Sequence, residues 1–268
     1  MNSELLRQVA SRYSLQQTYT DFEAIDLRQF DGVVICTPAN WHVAQVRRVV
    51  AGVGFTWCYM PWVYQMQRQF EQGCIGHLKY ISIRVGQNFP YFRPAYKNTY
   101  YTKPETGGGA ILDGISHPIS FAQMLAGKVD SLCAMYSNSG LLAVEEVEDT
   151  VDTLLLFGND IRANIHVNLW QRPSEVVVVL TGTNGSLRYL AERKAIGLCQ
   201  EIDGTWQETH IEYQRDDNYI AEANNFLNAM EGTEKVRCSV EDAYHTNKVC
   251  WAIRKSFDEG RWIDITDY

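Results

Sequence analysis

The sequence predicts an α/β chain: half of a doubly wound unit near its start, then an α+β region built on a large, mainly antiparallel open sheet. Three observations carry this reading. Asp31-Gly32-Val33-Val34-Ile35-Cys36-Thr37-Pro38 is a short apolar run closed by proline, the pattern of a parallel strand covered on both faces, and a helical pattern follows over residues 42–51. Strand patterns then recur at 130–136, 151–157, 161–169, 176–181 and 186–190, separated by turn residues such as Gly158-Asn159-Asp160 and Thr183-Asn184-Gly185. Within them, Ile161, Ala163, Ile165, Val167 and Leu169 alternate with Arg162, Asn164, His166 and Asn168, so the sheet has one polar face.

The remaining elements follow in order. Residues 3–13 read as a helix, with Leu5, Leu6, Val9 and Tyr13 at helical spacing. The strand, Thr-Pro turn and helix around residues 31–51 place Thr37 to His42 at a strand's carboxyl end, where ligands sit in doubly wound folds. Residues 63–71 form a helix ending at Gly73, and 79–85 alternate as a half-buried strand. Residues 87–106 read as a loop with three prolines and several tyrosines; loops of that length tend to be functional. Helices near 218–230 and 240–257 and a short strand at 262–265 close the chain.

The totals narrow the function classes. A net charge of -8 over 268 residues argues against non-specific nucleic-acid binding. No apolar run approaches the roughly 20 residues of a membrane span, and the first residues carry no secretory signal pattern. The 7 cysteines are scattered, odd in number and without a CxxC, which favours reduced thiols in a cytoplasmic setting over a disulfide frame or a zinc site. No HExxH or Cys/His spacing is present, so no metal site is expected.

The stretch richest in chemistry is Gly107-Gly108-Gly109-Ala110-Ile111-Leu112-Asp113-Gly114-Ile115-Ser116-His117. A triple glycine leads into a helical pattern, and Asp113 and His117 are four residues apart, on one helix face. Two readings stand at this point. The pair is a carboxylate–imidazole unit for proton transfer, or Asp113 caps a helix start and His117 is a satisfied, half-buried histidine. For His166 the expectation is a solvent-facing strand residue.

Four stretches in order resemble the Gfo/Idh/MocA oxidoreductases: residues 31–42, the 107–117 segment, Val147-Glu148-Asp149-Thr150, and Thr181-Gly182-Thr183-Asn184-Gly185-Ser186-Leu187. Residues 96–109 and Trp170-Gln171-Arg172-Pro173 are similar to members linked to surface-sugar or nucleotide-sugar metabolism. The resemblance implies a Rossmann-like domain over 1–75 and a substrate and oligomerisation domain over 76–268. It implies hydride transfer between NAD or NADP and a hydroxyl of a sugar or nucleotide-sugar, and a homo-oligomer formed through the open sheet, with no nucleic-acid or membrane partner. His117 then moves the hydroxyl proton and Asp113 orients it or contacts the substrate. Thr37, Pro38, Asn40 and His42 border the cofactor, and Arg172, Tyr96 and Lys97 are expected substrate contacts.

The resemblance also implies a shortened, incomplete Rossmann-like domain. The family's opening strand with G-x-G-x-x-G, which brings backbone to the pyrophosphate, has no counterpart here. Its Glu-Lys-Pro motif is matched either by Cys58-Tyr59-Met60-Pro61, with Met60 for lysine, or by a deletion between Gly52 and Phe55. In both alignments the lysine is lost. The alternative expectation is therefore a non-catalytic sugar-binding or oligomer-scaffold remnant of the family.

Overall fold

Among the described residues, nine strands form one open sheet in the order β8-β7-β6-β5-β1-β4-β3-β2-β9. They are β1 (Leu78–Asn88), β2 (Val129–Ser137), β3 (Thr150–Phe157), β4 (Ile161–Asn168), β5 (Trp170–Gly182), β6 (Gly185–Leu190), β7 (Ala195–Cys199), β8 (Gln207–His210) and β9 (Ile263–Asp264). All neighbours are antiparallel except β1 and β4, which run parallel with Ile83 opposite Ile165. The expected large, mainly antiparallel sheet is present. Strands β7 and β8 are additions to the sequence reading.

The computed structural model describes residues 3–30, 32–35, 52–142 and 146–267. The chain divides into two units, Met1–Ala51 and Gly52–Tyr268. In the first, α1 (Ser3–Tyr13) has the expected bounds. The buried strand expected at 31–38 is not found where it is described: residues 32–35 take no strand conformation, and Val34 is 78% exposed. An apolar run becomes a buried parallel strand only with a paired strand on either side, and no described residue of this unit supplies one. Its remainder and the helix expected at 42–51 lie outside the described residues.

In the second unit, helices α2 (Pro61–Glu71), α3 (Ser116–Ala126) and α5 (Val240–Glu259) contribute to one core with the sheet, and α4 (Asp217–Met230) precedes α5. Local chemistry starts these helices. Pro61 sits at the first position of α2, where its missing N–H costs nothing. Ser239 and Asp242 cap α5 reciprocally. The core takes the alternate residues of each strand, Ile81 and Ile83 of β1 and Ile165 and Val167 of β4 among them. Trp62 of α2 lies parallel to Tyr189 of β6, ring centroids 4.4 Å apart, and tilts against Phe121 of α3 at 5.5 Å. Each such ring pair contributes about 0.5–1.5 kcal/mol beyond its buried area. Residues 52–75, read from sequence with the first domain, thus include a helix packed on the sheet.

The parallel pair decides where the chain's loops emerge. β1 lies between β4 and β5, so Gly86 faces Asn168 on one side while Asn88 faces Trp170 on the other. The loop leaving β1 therefore starts at the carboxyl ends of the two parallel strands, where α/β sheets place their ligands.

Candidate active site

The segment after β1 is built from tight turns rather than irregular loop. The Asn88 side chain accepts the Tyr91 N–H at 3.2 Å and caps a single helical turn, Phe89–Phe92. The Phe89 N–H donates to the Leu169 carbonyl at 2.9 Å, fastening this turn to the crossing between β4 and β5. Three one-turn helical pieces follow, Tyr96–Asn98, Tyr100–Thr102 and Pro104–Thr106. Aromatic contacts hold them: Phe89 meets Tyr101 edge to face at 4.5 Å, and Tyr101 stacks on Tyr100 at 4.2 Å.

The glycines explain how this segment reaches the next. A Cβ on Gly108 would strike the backbone carbonyls of Tyr100 and Tyr101. Gly109 has φ of 97°, which side chains rarely adopt, and a Cβ there would run into the Glu148 carboxylate. Glu148 is 4% exposed. It accepts the Ile111 N–H at 2.9 Å and pairs with Arg254 of α5 at 3.0 and 3.2 Å, while its own carbonyl accepts the Ala110 N–H at 2.9 Å. Glu148 therefore satisfies two N–H groups at the start of the helical stretch.

That stretch begins as a π-helical turn, Ala110–Ile115, and becomes α-helical at Ser116. Such wide turns are frequent at functional sites. Asp113 lies in the π turn and His117 in the first turn of α3, so the expected single regular helix does not carry the pair. The capping reading of Asp113 is overturned: its Oδ1 accepts the Tyr100 hydroxyl at 3.0 Å, and Glu148 serves the helix start instead. The reading of His117 as a satisfied histidine is overturned as well. Its ring is half-buried, edge-on to Phe55 at 5.5 Å, and Nδ1 is shut off from solvent with no hydrogen-bond partner.

Burial shifts both groups toward their neutral forms. Desolvation, aided by the Arg93 charge, pushes His117 down to about 4, so the imidazole is neutral at pH 7. Desolvation raises Asp113, opposed by hydrogen bonds from Tyr100 and Tyr101 and by Arg93. Burial and the nearby Asp113 charge raise both tyrosines, which keeps them protonated as donors. A neutral imidazole with an unpartnered nitrogen, on the same helical stretch as a carboxyl oriented by a phenol, is equipped to move a proton.

The other residues singled out in the sequence are more dispersed. Thr37, Pro38, Asn40 and His42 lie outside the described residues. Tyr96 is buried edge to face against Phe89, a packing position, whereas Lys97 beside it is exposed. Arg172 is exposed on β5. His166 departs from the solvent-facing expectation: its Nδ1 lies 2.7 Å from Asp152, and Nε2 lies 3.0 Å from the Asn168 amide. Asn168 continues through Gln171 to Glu175, which Arg84 grips with two bonds of 2.6 and 2.7 Å. This polar network crosses four strands, a juxtaposition no single strand pattern contains. Among the described residues, no group of three or more His, Cys, Asp or Glu could hold a metal ion, and no helix is long and apolar enough to cross a membrane.

Comparison with known proteins gives the arrangement a context. Residues 63–188 match the family model described as the GFO/IDH/MocA C-terminal domain. A levoglucosan dehydrogenase solved with NADH and levoglucosan is similar over 98% of this chain and 88% of its own, with a TM-score of 0.87 at 19% identity. An oxidoreductase from Agrobacterium radiobacter, in complex with NAD+, L-tartaric acid and magnesium, covers 99% and 89% with a TM-score of 0.83 at 17% identity. An NAD-binding oxidoreductase from Klebsiella pneumoniae covers 98% and 87% with a TM-score of 0.85 at 18% identity. At these identities the likeness is one of fold. No curated protein sequence matches the chain.

Two predictions follow from the geometry. Gly109→Ala combines a disfavoured φ with a clash against Glu148, and a loss of about 2–4 kcal/mol is expected; urea unfolding should show a lower midpoint with an unchanged slope. His117 carries a pH signature. The unfolded chain protonates this histidine near its ordinary value of 6.5, while the folded ring stays neutral down to about 4. The stability from keeping it neutral is full above pH 6.5 and is lost as pH falls toward 4, by up to about 1.4 kcal/mol per pH unit. His117→Gln should therefore lose less stability than the parent between pH 6.5 and 4.5. Equal losses in both proteins would count against the buried neutral ring.

Proposed function

We propose, on the match of residues 63–188 to the GFO/IDH/MocA C-terminal domain model, that the chain is a nicotinamide-dependent oxidoreductase acting on a hydroxyl of a sugar or nucleotide-sugar. The observation that carries this reading is the neutral, half-buried His117 with its unpartnered Nδ1, on the same helical stretch as an Asp113 that Tyr100 orients. An alcohol that loses hydride must also lose its hydroxyl proton. His117 receives that proton in oxidation and returns it in reduction, and the Asp113 carboxyl steers the hydroxyl toward the ring. The Phe55 ring and the aromatic pieces of the β1 loop limit water at His117 and Asp113.

NAD or NADP, when bound, supplies the hydride acceptor or donor. The described residues fit the proton-transfer half of that chemistry. They contain no glycine-rich turn opening a helix in the first unit, so they form no pyrophosphate cradle themselves. Thr37, Pro38, Asn40 and His42, assigned to the cofactor edge by the resemblance, lie outside them. The levoglucosan dehydrogenase likeness, which includes forms solved with NADH and levoglucosan and with NADH and L-sorbose, supports both the cofactor and a sugar as substrate class.

The open sheet face supports a homo-oligomer. Opposite the helices it exposes Tyr80, Met135 and Leu154, at 40%, 59% and 49%, among polar residues such as Arg162 and Asn164, a mixed surface on which a second copy could pack.

Titrating NADH into the pure protein, followed by nicotinamide fluorescence, should show saturable binding below about 1 mM. His117→Ala should fold with a similar melting temperature and lose all sugar-linked NAD(P) turnover. Absence of NADH binding up to millimolar would leave a non-catalytic sugar-binding or scaffold module in place of the enzyme. Sedimentation velocity should show an oligomer that Leu154→Lys dissociates; a monomeric parent would remove the sheet face as an interface.

A further inference from the structure

Arg93 is a cation without an ion pair among the described residues, on the aromatic segment whose Tyr100 bonds Asp113. Its guanidinium lies 4.9 Å from the Phe89 ring centroid and 5.9 Å from that of Tyr101. Those rings are fixed: Phe89 is buried and tied to Leu169, and Tyr101 stacks on Tyr100, whose hydroxyl donates to Asp113. The Arg93 backbone is fixed too, its N–H donating to the Phe89 carbonyl at 2.9 Å and its carbonyl accepting the Tyr96 N–H at 2.9 Å. Each other arginine that grips a carboxylate in this unit, such as Arg84 on Glu175 or Arg254 on Glu148, has its charge answered within the fold. The Arg93 charge is instead exposed, on a rigid aromatic platform, and its field reaches both Asp113 and His117.

We propose that Arg93 is the anion-recognition residue of this site, and that the sugar acted on carries an oxyanion group, a carboxylate or a phosphate, that the Arg93 fork receives while a ring hydroxyl faces His117. This rests on the oxidoreductase reading for the reaction, but the binding claim stands by itself. A planar guanidinium is suited to the two oxygens of a carboxylate or phosphate, and its bidentate bonds are the stronger class of hydrogen bond. The stacking rings hold the fork without occupying its donors. Anion binding has a further effect on the neighbour. The Arg93 charge is one of the two causes that hold His117 down, so neutralising it makes the imidazole a better base when substrate is present.

The test is equilibrium binding by calorimetry, with and without NADH, of D-glucose, D-glucuronate and D-glucose 6-phosphate and of the corresponding galactose series. The parent should hold one charged member at least about tenfold more tightly than its neutral counterpart. Preference for the uronate identifies a carboxylate, and preference for the sugar phosphate identifies a phosphate. Arg93→Met should abolish the preference at an unchanged melting temperature, Arg93→Lys should restore part of it, and Arg172→Met should leave it in place. The proposal is overturned if the parent shows no preference or binds none of the probes, if Arg93→Met retains the preference, or if the preference follows Arg172. Charged-sugar selectivity that depends on Arg93 in a protein that does not bind NADH would sink the oxidoreductase reading and leave this site standing. NADH-linked turnover of neutral sugars with no charge preference would do the reverse.

Discussion

One buried carboxylate holds the site together. Glu148, just before β3, ties to the π-helical turn through both its carbonyl and its carboxylate and to helix α5 through its carboxylate. Its carbonyl takes the Ala110 N–H, one carboxylate oxygen takes the Ile111 N–H, and both oxygens meet Arg254. An ionised group this deeply buried is tolerable only because it is both paired and hydrogen-bonded. The close approach requires that Gly109 have no side chain. Asp149, next in the chain, does similar work toward the β2–β3 connection, accepting the Ser139 N–H at 3.0 Å and the Thr150 hydroxyl at 2.8 Å. Two adjacent acids thus tie down backbone on two sides, and the position of Asp113 and His117 depends on the first of them.

The constraint has a consequence for chemistry. With its first N–H groups satisfied by Glu148, the helical stretch does not need Asp113 as a cap, and that carboxyl is free to accept from Tyr100. The wide π turn then carries Asp113 and the following α-helix carries His117. Both are desolvated in a way that holds the imidazole neutral and favours a protonated carboxyl. Arg93 adds a positive charge that the loop's aromatic rings position. Burial, orientation and one exposed cation together mark this histidine as different from an ordinary core histidine.

Much of this was legible in the chain, and the illegible parts share a cause. Asp113 and His117 stood out because both lie in one short segment behind three glycines. Glu148 was visible as part of a motif, but its partners Ile111 and Arg254 are far away in sequence. Tyr100 and Arg93 were hidden in a segment that read as loop, because tyrosines and an arginine among prolines carry no period. The tyrosine density there was a usable signal. His166 read as a solvent-facing strand residue because alternation reports the face and not the neighbours across it: Asp152 lies opposite on β3 and Arg84 on β1. Residues 32–35 of the apolar run take no strand conformation for the same reason, since burial of a strand is a property of its partners.

By itself the sequence determined the helices near 3–13, 63–71, 218–230 and 240–257, the strands with clear alternation, and the expectation of an open antiparallel sheet with one polar face. These follow from local periodicity and turn chemistry, which act between residues a few positions apart. It also determined which segment holds the carboxylate–imidazole pair. Only the tertiary structure decided that β1 lies parallel to β4 between β4 and β5, that the helix start is π-helical and capped by Glu148, and that Nδ1 of His117 is buried without a partner. Those outcomes depend on contacts between distant segments, on desolvation, and on how closely backbone approaches a side chain. None of these has a signature in the order of residues along one stretch of chain.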